Sequence, residues 1–180
     1  PFMGWHQINN AAVALELVKV LREQGFNISE ENLVVGFKKA FIPARMELLS
    51  ERPLCLLDGG HNPGCALALR GVLERYVPER KVAIMGMMAD KDSAAALEIL
   101  GPMFSKVITV RPDNPRSLSA EDLAATAARF CLEAVPVGSC REALDMALED
   151  VSDREALIAC GSFYLAGELR PLLLEKFPAR

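Results

Sequence analysis

The sequence predicts an α/β protein built on an open, mostly parallel sheet of about six strands flanked by helices, preceded by a short helical segment of different character. Three observations carry this. Short apolar runs recur at a spacing of roughly 25 residues, each followed by a helical segment, which is the rhythm of successive βα units. These runs lack polar alternation, as strands covered on both faces do. Ahead of them, residues 1 to 41 read as helix after helix with no strand between.

In chain order, residues 10 to 24 hold strong helix formers with apolar side chains nearly all round, and Gly25 supplies the stop. A helix of that kind is expected to be buried against another body, and where that body lies outside this chain residues 10 to 24 are expected to form an exposed apolar patch. His6 stands four residues before Asn10, either sharing its helical face or merely preceding the helix. Ser29 caps a second helix whose first turn carries Glu30 and Glu31 and whose last carries Lys38 and Lys39, charges that suit the helix dipole. Ile42-Pro43 ends it. Met46 to Leu49 then suggests an edge strand, antiparallel to its neighbour. The runs Pro53 to Leu57, Val82 to Met85, Val107 to Val110, Ala134 to Val137 and Ala156 to Ala159 supply the parallel strands. Ser119 with Asp122, and Ser139 with Glu142, have the capping-box spacing at two of the intervening helices.

Composition narrows the function classes. The 180 residues are 51% hydrophobic and 24% charged, with a net charge of −4, so no basic field exists to hold a nucleic acid backbone. No apolar run approaches the roughly 20 residues of a membrane helix, and the first six residues lack the regions of a signal peptide. A chain opening on Pro1 and running straight into a helical pattern reads as part of something longer. Five cysteines, odd in number and mostly inside apolar runs, read as thiols kept reduced in the cytoplasm. With only His6 and His61 beside them, a zinc site has little to build on.

Ligands of open parallel sheets bind beyond the carboxyl ends of the strands, and the segments there are polar and turn-rich. Asp58-Gly-Gly-His61-Asn62-Pro63-Gly64 carries the most mechanism. Gly59 and Gly60 permit a tight turn, Asn62 is a good N-cap and Pro63 fits the first helical position. The result is a helix N-terminus able to receive an anion, with His61 beside it and Asp58 at the strand tip, where a carboxylate commonly takes ribose hydroxyls. A plain strand-turn-helix corner would use the same residues. Arg45 could reach a phosphate or simply pair with Glu47; Arg116 could fork a carboxylate or face water. Asp90-Lys91-Asp92 also fits a helix start, and Ser162 with Tyr164 also fits capping and packing of the last helix. No Gly-Lys dipeptide occurs, hence no P-loop; Gly-x-Gly-x-x-Gly after the first strand and Gly-x-Ser-x-Gly are absent too.

The ordered series His6-Gln7-x-x-Asn10, Pro43-x-Arg45-x-Glu47, Asp58-Gly-Gly-His61-Asn62-Pro63, Asp90-Lys91-Asp92, Asn114-Pro115-Arg116 and Gly161-Ser162-x-Tyr164-Leu165 resembles the C-terminal part of bacterial folylpolyglutamate synthase / dihydrofolate synthase, in the Mur ligase superfamily. The resemblance implies a Rossmann-like C-terminal domain over about 42 to 180 and, over about 1 to 41, the last helices of a central ATPase domain. It implies an ATP-dependent ligase joining L-glutamate to folate or dihydropteroate through an acyl phosphate. Mg2+ ligands and the P-loop would lie in an N-terminal ATPase domain, and the whole would be a cytoplasmic monomer. Asn10 resembles the adenine-contacting Asn, Arg45 the arginine on the ATP phosphates, and Asp58 the ribose carboxylate. His61 resembles the catalytic histidine near the phosphates and the incoming glutamate. Ser162, Tyr164 and Arg116 resemble glutamate-binding residues. Two departures stand out: Gly60 replaces the usual Ala, a change expected to leave the loop's amides intact, and Ala44 replaces a Gly, so a less permissive residue must make the same turn. A peptidoglycan Mur ligase, or a binding module without catalysis, would share the architecture.

Overall fold

The computed structural model describes residues 4–77 and 80–178, with the side chains of Trp5 and His6 outside the described residues. The chain separates into two compact units, Pro1–Pro43 and Ala44–Arg180.

The first unit holds two helices, α1 (Trp5–Glu23) and α2 (Glu30–Lys39). The break between them is glycine-made: Gly25 takes φ +94°, open to glycine at little cost. Ser29 then accepts a hydrogen bond from the Asn32 N–H and starts α2 as its sequence dictates. The Arg22 guanidinium bonds the Ile28 carbonyl at 2.7 Å and pairs with Glu30, tying the two helices. Residues 10 to 24 are largely exposed, the apolar patch expected for this chain taken by itself. Val13 and Leu17 are 63% and 60% exposed, and no described residue of this unit reaches the buried class. Among the described residues every strand lies in the second unit, and within the first α1 is tied to α2.

In the second unit, strands β1 (Glu47–Glu51), β2 (Leu54–Asp58), β3 (Lys81–Met85), β4 (Lys106–Val110), β5 (Ala134–Val137) and β6 (Ala156–Cys160) form one sheet in the order β1-β2-β6-β3-β4-β5. All neighbours are parallel except β1 and β2. β3 and β6 are buried along their whole length, which explains their unbroken apolar runs. β5 lies at the edge, where Pro136 costs no essential ladder bond.

Helices α3 (Pro63–Tyr76), α4 (Ser93–Leu100) and α5 (Ala120–Ala127) pack side by side, while α6 (Cys140–Asp150) and α7 (Phe163–Lys176) pack on each other. Leu57, Ile84, Ile108, Leu157 and Ala159 form one core with Leu144, Leu165 and Leu169 of α6 and α7. The alternate strand residues face α3 to α5; Thr109, for example, donates its hydroxyl to the Ala120 carbonyl at 2.7 Å. β2 therefore feeds a helix on one face and its neighbour β6 feeds α7 on the other. Such a reversal opens a crevice at the carboxyl ends of the two strands, the usual place for a ligand in this architecture. Among the described residues no helix is long and apolar enough to cross a membrane.

Candidate functional site

Three segments meet at that crevice: the turn 43–46 entering β1, the loop 58–62 after β2, and the start of α7 after β6. Asp58, 4% exposed, ties the first two together. Its Oδ1 accepts the Gly60 N–H at 2.8 Å and its Oδ2 accepts the Met46 N–H at 3.0 Å. Asn62 caps α3 through the Cys65 N–H at 2.9 Å, with Pro63 at the first helical position. His61 projects from this loop with Nδ1 3.4 Å from the Gly59 carbonyl.

The turn 43–46 is strained. Ala44 and Met46 adopt φ of +55° and +49°, a region that costs a non-glycine residue about 1–2 kcal/mol. It persists because the main chain is held at three points. Ala44 N–H donates to Glu47 Oε2 at 2.8 Å, Gly59 N–H donates to the Ala44 carbonyl at 2.7 Å, and Met46 N–H is taken by Asp58. The product of that strain is the position of Arg45, whose guanidinium carbon lies 4.7 Å from the centroid of the Phe163 ring. The same ring meets His61 edge-on at 6.4 Å. Gly59 has no side chain for a reason: a Cβ there would fall 2.5 Å from the Phe163 ring.

Arg45 does not pair with Glu47. The Glu47 carboxylate instead takes the fork of Arg170 on α7, Nη2 to Oε1 at 2.8 Å and Nε to Oε2 at 3.0 Å. Burial pushes the Glu47 carboxyl up, but the Arg170 hydrogen bonds, the Ala44 amide and the Arg170 charge outweigh it and hold the group below its ordinary value of 4.5.

A second cluster lies on the next residue of α7. Arg116 donates from Nη2 to the Tyr164 hydroxyl at 3.3 Å, with its guanidinium carbon 6.0 Å from that ring. Its main chain is pinned by Asn114 Oδ1 to its N–H at 2.9 Å and by the Ala89 N–H to its carbonyl at 2.8 Å, which joins the loops after β3 and β4. Ser162, 2% exposed, caps α7 by accepting the Leu165 N–H at 3.1 Å. Gly161 makes the corner at φ +116°; a Cβ there would lie 2.8 Å from the Gly86 carbonyl. Asp90 pairs with Lys91 at 3.1 Å, and that bond pulls its carboxyl down; Asp92 caps α4 through Ala95. Beneath the loops is a crevice of about 10 Å³, room for a single water, so it is a packed floor.

Of the residues singled out by sequence, the structure brings Arg45, Asp58 and His61 together, joins Arg116 to Tyr164, and gives the Ser162 hydroxyl a capping bond. Asn10 belongs to the first unit, where its amide donates to Gln7 Oε1 at 3.1 Å. At Gly60 an alanine Cβ would fall 2.5 Å from Asp58 Oδ1 and 2.7 Å from Cys65 Cβ, so the loop closes around a residue without a side chain. Phe163 and Arg170 went unnoticed in the sequence. The first sits inside the quoted Gly-Ser-x-Tyr segment as its unassigned position; the second lies 123 residues from its partner, beyond any local pattern. Among the described residues no three His, Cys, Asp or Glu side chains group as a cation set.

This fold and face define a parallel α/β domain with cationic side chains gathered at a topological switch point. Residues 44–163 match the family described as Mur ligase, glutamate ligase domain, and the chain belongs to that family. It is 35% identical over 180 residues to a folylpolyglutamate synthase of Lacticaseibacillus casei, the match covering 97% of this chain and 40% of that protein. The crystal structure of Mycobacterium tuberculosis folylpolyglutamate synthase complexed with ADP and AMPPCP superposes with a TM-score of 0.86 at 28% identity, over 96% of this chain and 41% of that one. A bifunctional folylpolyglutamate synthase/dihydrofolate synthase of Yersinia pestis with Mn, AMPPNP and L-glutamate bound gives 0.75 at 29% identity, over 86% and 37%. The matches thus span between a fifth and two fifths of the length of the curated relatives.

Proposed function

We propose that this chain is the C-terminal part of an ATP-dependent amide ligase that adds L-glutamate to folate or dihydropteroate. The observation that carries the reading is the pairing of two arginine stations on adjacent residues of one helix start, Arg45 on Phe163, whose ring His61 also meets, and Arg116 on Tyr164. A ligase of this class must hold a polyphosphate and the carboxylates of an amino acid side by side, and two arginines at neighbouring stations suit that task.

In the proposed reaction the γ-phosphoryl group passes to the acceptor carboxylate, the glutamate amine attacks the acyl carbon, and phosphate leaves. Arg45 balances phosphate charge, Asn10 would meet adenine, and Asp58, whose oxygens already accept the Gly60 and Met46 N–H groups, would meet ribose through its remaining lone pairs. Arg116, Tyr164 and the Ser162 corner receive glutamate. In the tautomer that donates from Nδ1 to the Gly59 carbonyl, 3.4 Å away, His61 offers Nε2 as an acceptor for the proton the attacking amine must lose. Residues 1–41 belong on this reading to the ATPase domain, Mg2+ would be held outside this chain, and the enzyme is a cytoplasmic monomer.

The test is glutamate-dependent ATP hydrolysis by the intact gene product with a folate or pteroate acceptor. Activity only with a muramyl nucleotide acceptor would move the protein to the peptidoglycan ligases. Arg45→Ala is expected to raise KM for ATP and His61→Ala to depress kcat. The 180-residue chain by itself, with no P-loop, should show no turnover.

A further inference from the structure

We propose that Glu47 and Arg170 are positioning residues for Arg45, and that Arg170 also keeps the Arg45 charge available to an anion by occupying the carboxylate that would otherwise neutralise it. This deepens the reading above and rests on Arg45 meeting nucleotide phosphate.

Arg45 and Glu47 are two residues apart, and a half-buried arginine so close in sequence to an acid is a natural partner for it. Here Glu47 is 7% exposed and its two oxygens are filled by Arg170 and by the Ala44 N–H. No ion pair to Arg45 occurs among the described residues; its guanidinium is placed over Phe163 instead. Phe163 and Arg170 are seven residues apart on α7, two turns, and so lie along one side of the helix. The helix therefore holds the strained turn at two levels. Arg170 fixes the main chain through Glu47 and Ala44, and Phe163 receives the guanidinium.

The geometry yields a signature that a merely stabilising ion pair would not give. Removing Arg170 leaves Glu47 as an unpaired buried carboxylate with Arg45 as the nearby cation to capture. Neutralising Glu47 in that background removes the trap. The experiment measures kcat and KM for ATP of the intact gene product carrying Arg170→Met, Glu47→Gln, both together, and Arg170→Lys. Arg170→Met is expected to lower kcat/KM for ATP by about 10- to 100-fold, mainly through KM. The double variant is expected to recover part of that loss. Arg170→Lys, which keeps charge without the fork, should fall between. On the 180-residue chain, NMR should show an upfield ring-current shift of the Arg45 Cδ protons from Phe163, absent in Arg170→Met and restored in the double variant. An unchanged KM for ATP in Arg170→Met, or a double variant worse than either single, overturns the proposal. If Arg170→Met does not fold, Arg170→Lys with an unaltered Arg45 shift overturns it equally. Should Arg45→Ala leave KM for ATP unchanged, the phosphate reading fails, while the ring-current shift still decides the positioning.

Discussion

The two units of this chain use the same apolar alphabet to opposite effect. Residues 4–43 show Val13, Leu17, Phe26 and Phe41 about three-fifths exposed, whereas in the sheet unit Leu57, Ile84, Ile108 and Leu157 have no exposure at all. The difference is topological. Two helices joined by a short break cover little of each other, while six strands with helices on both faces give every central residue neighbours above and below. Apolar content therefore measures what a segment would gain by being covered, and the order of elements decides whether it is.

The largest test of that contrast is a pair of leucines. Leu157→Ala, at full burial in β6, is expected to cost about 2–5 kcal/mol, and Leu17→Ala in α1 less than about 0.5, both read from urea titrations. Equal costs would mean α1 is covered in solution. Next comes a pair of glycines that share a positive φ and differ in surroundings. Gly161→Ala adds overlap with the Gly86 carbonyl to backbone strain and should cost about 2–4 kcal/mol. Gly25→Ala meets nothing within 4 Å and should cost about 1 kcal/mol.

A smaller effect follows from charge. The Glu47 carboxyl is held below 4.5 in the folded state, so its contribution to stability is complete above pH 4.5 and is lost as pH falls through the lower folded value. Lys106, raised above 10.5 first by its bond to Asp150, contributes below pH 10.5 and loses that contribution as pH rises through the higher folded value. Glu47→Gln should flatten the acid limb of a melting-temperature profile and leave the alkaline limb alone. The smallest effect concerns thiols. Burial raises Cys55 and Cys140 to about 12, and Cys160 is raised as well, so these three should react with a thiol reagent only on unfolding. Cys65 and Cys131, partly exposed, should react first; five equally fast thiols would mean the sheet unit opens readily.

Much of this was readable from residue order. The strand runs fell within a residue of the observed β2 to β6, because strands covered on both faces leave continuous apolar stretches. Ser29, Asn62, Ser119 and Ser139 cap the helices their spacing indicated. Ala44 was legible as a residue forced into a glycine's turn, and its φ of +55° is that strain. What stayed hidden was long-range pairing. Nothing near Glu47 announces Arg170, and nothing in Gly59 announces that its missing side chain makes room for Phe163. The same holds for α1: an apolar periphery is written in sequence, but its covering partner is not.

The place of β6 has a consequence for the order of events during synthesis. This strand sits in the middle of the sheet yet is the last of the six to be made, and it alone joins β1-β2 to β3-β4-β5. Until residue 160 leaves the ribosome, the inner edges of β2 and β3 stand open, with unpaired amides and carbonyls facing solvent or any neighbouring chain. At about 5–20 residues per second, the roughly 75 residues separating β3 from β6 keep those edges waiting for several seconds. That interval is when a growing chain of this protein would most need a chaperone, and a stop codon before β6 would make the exposure permanent.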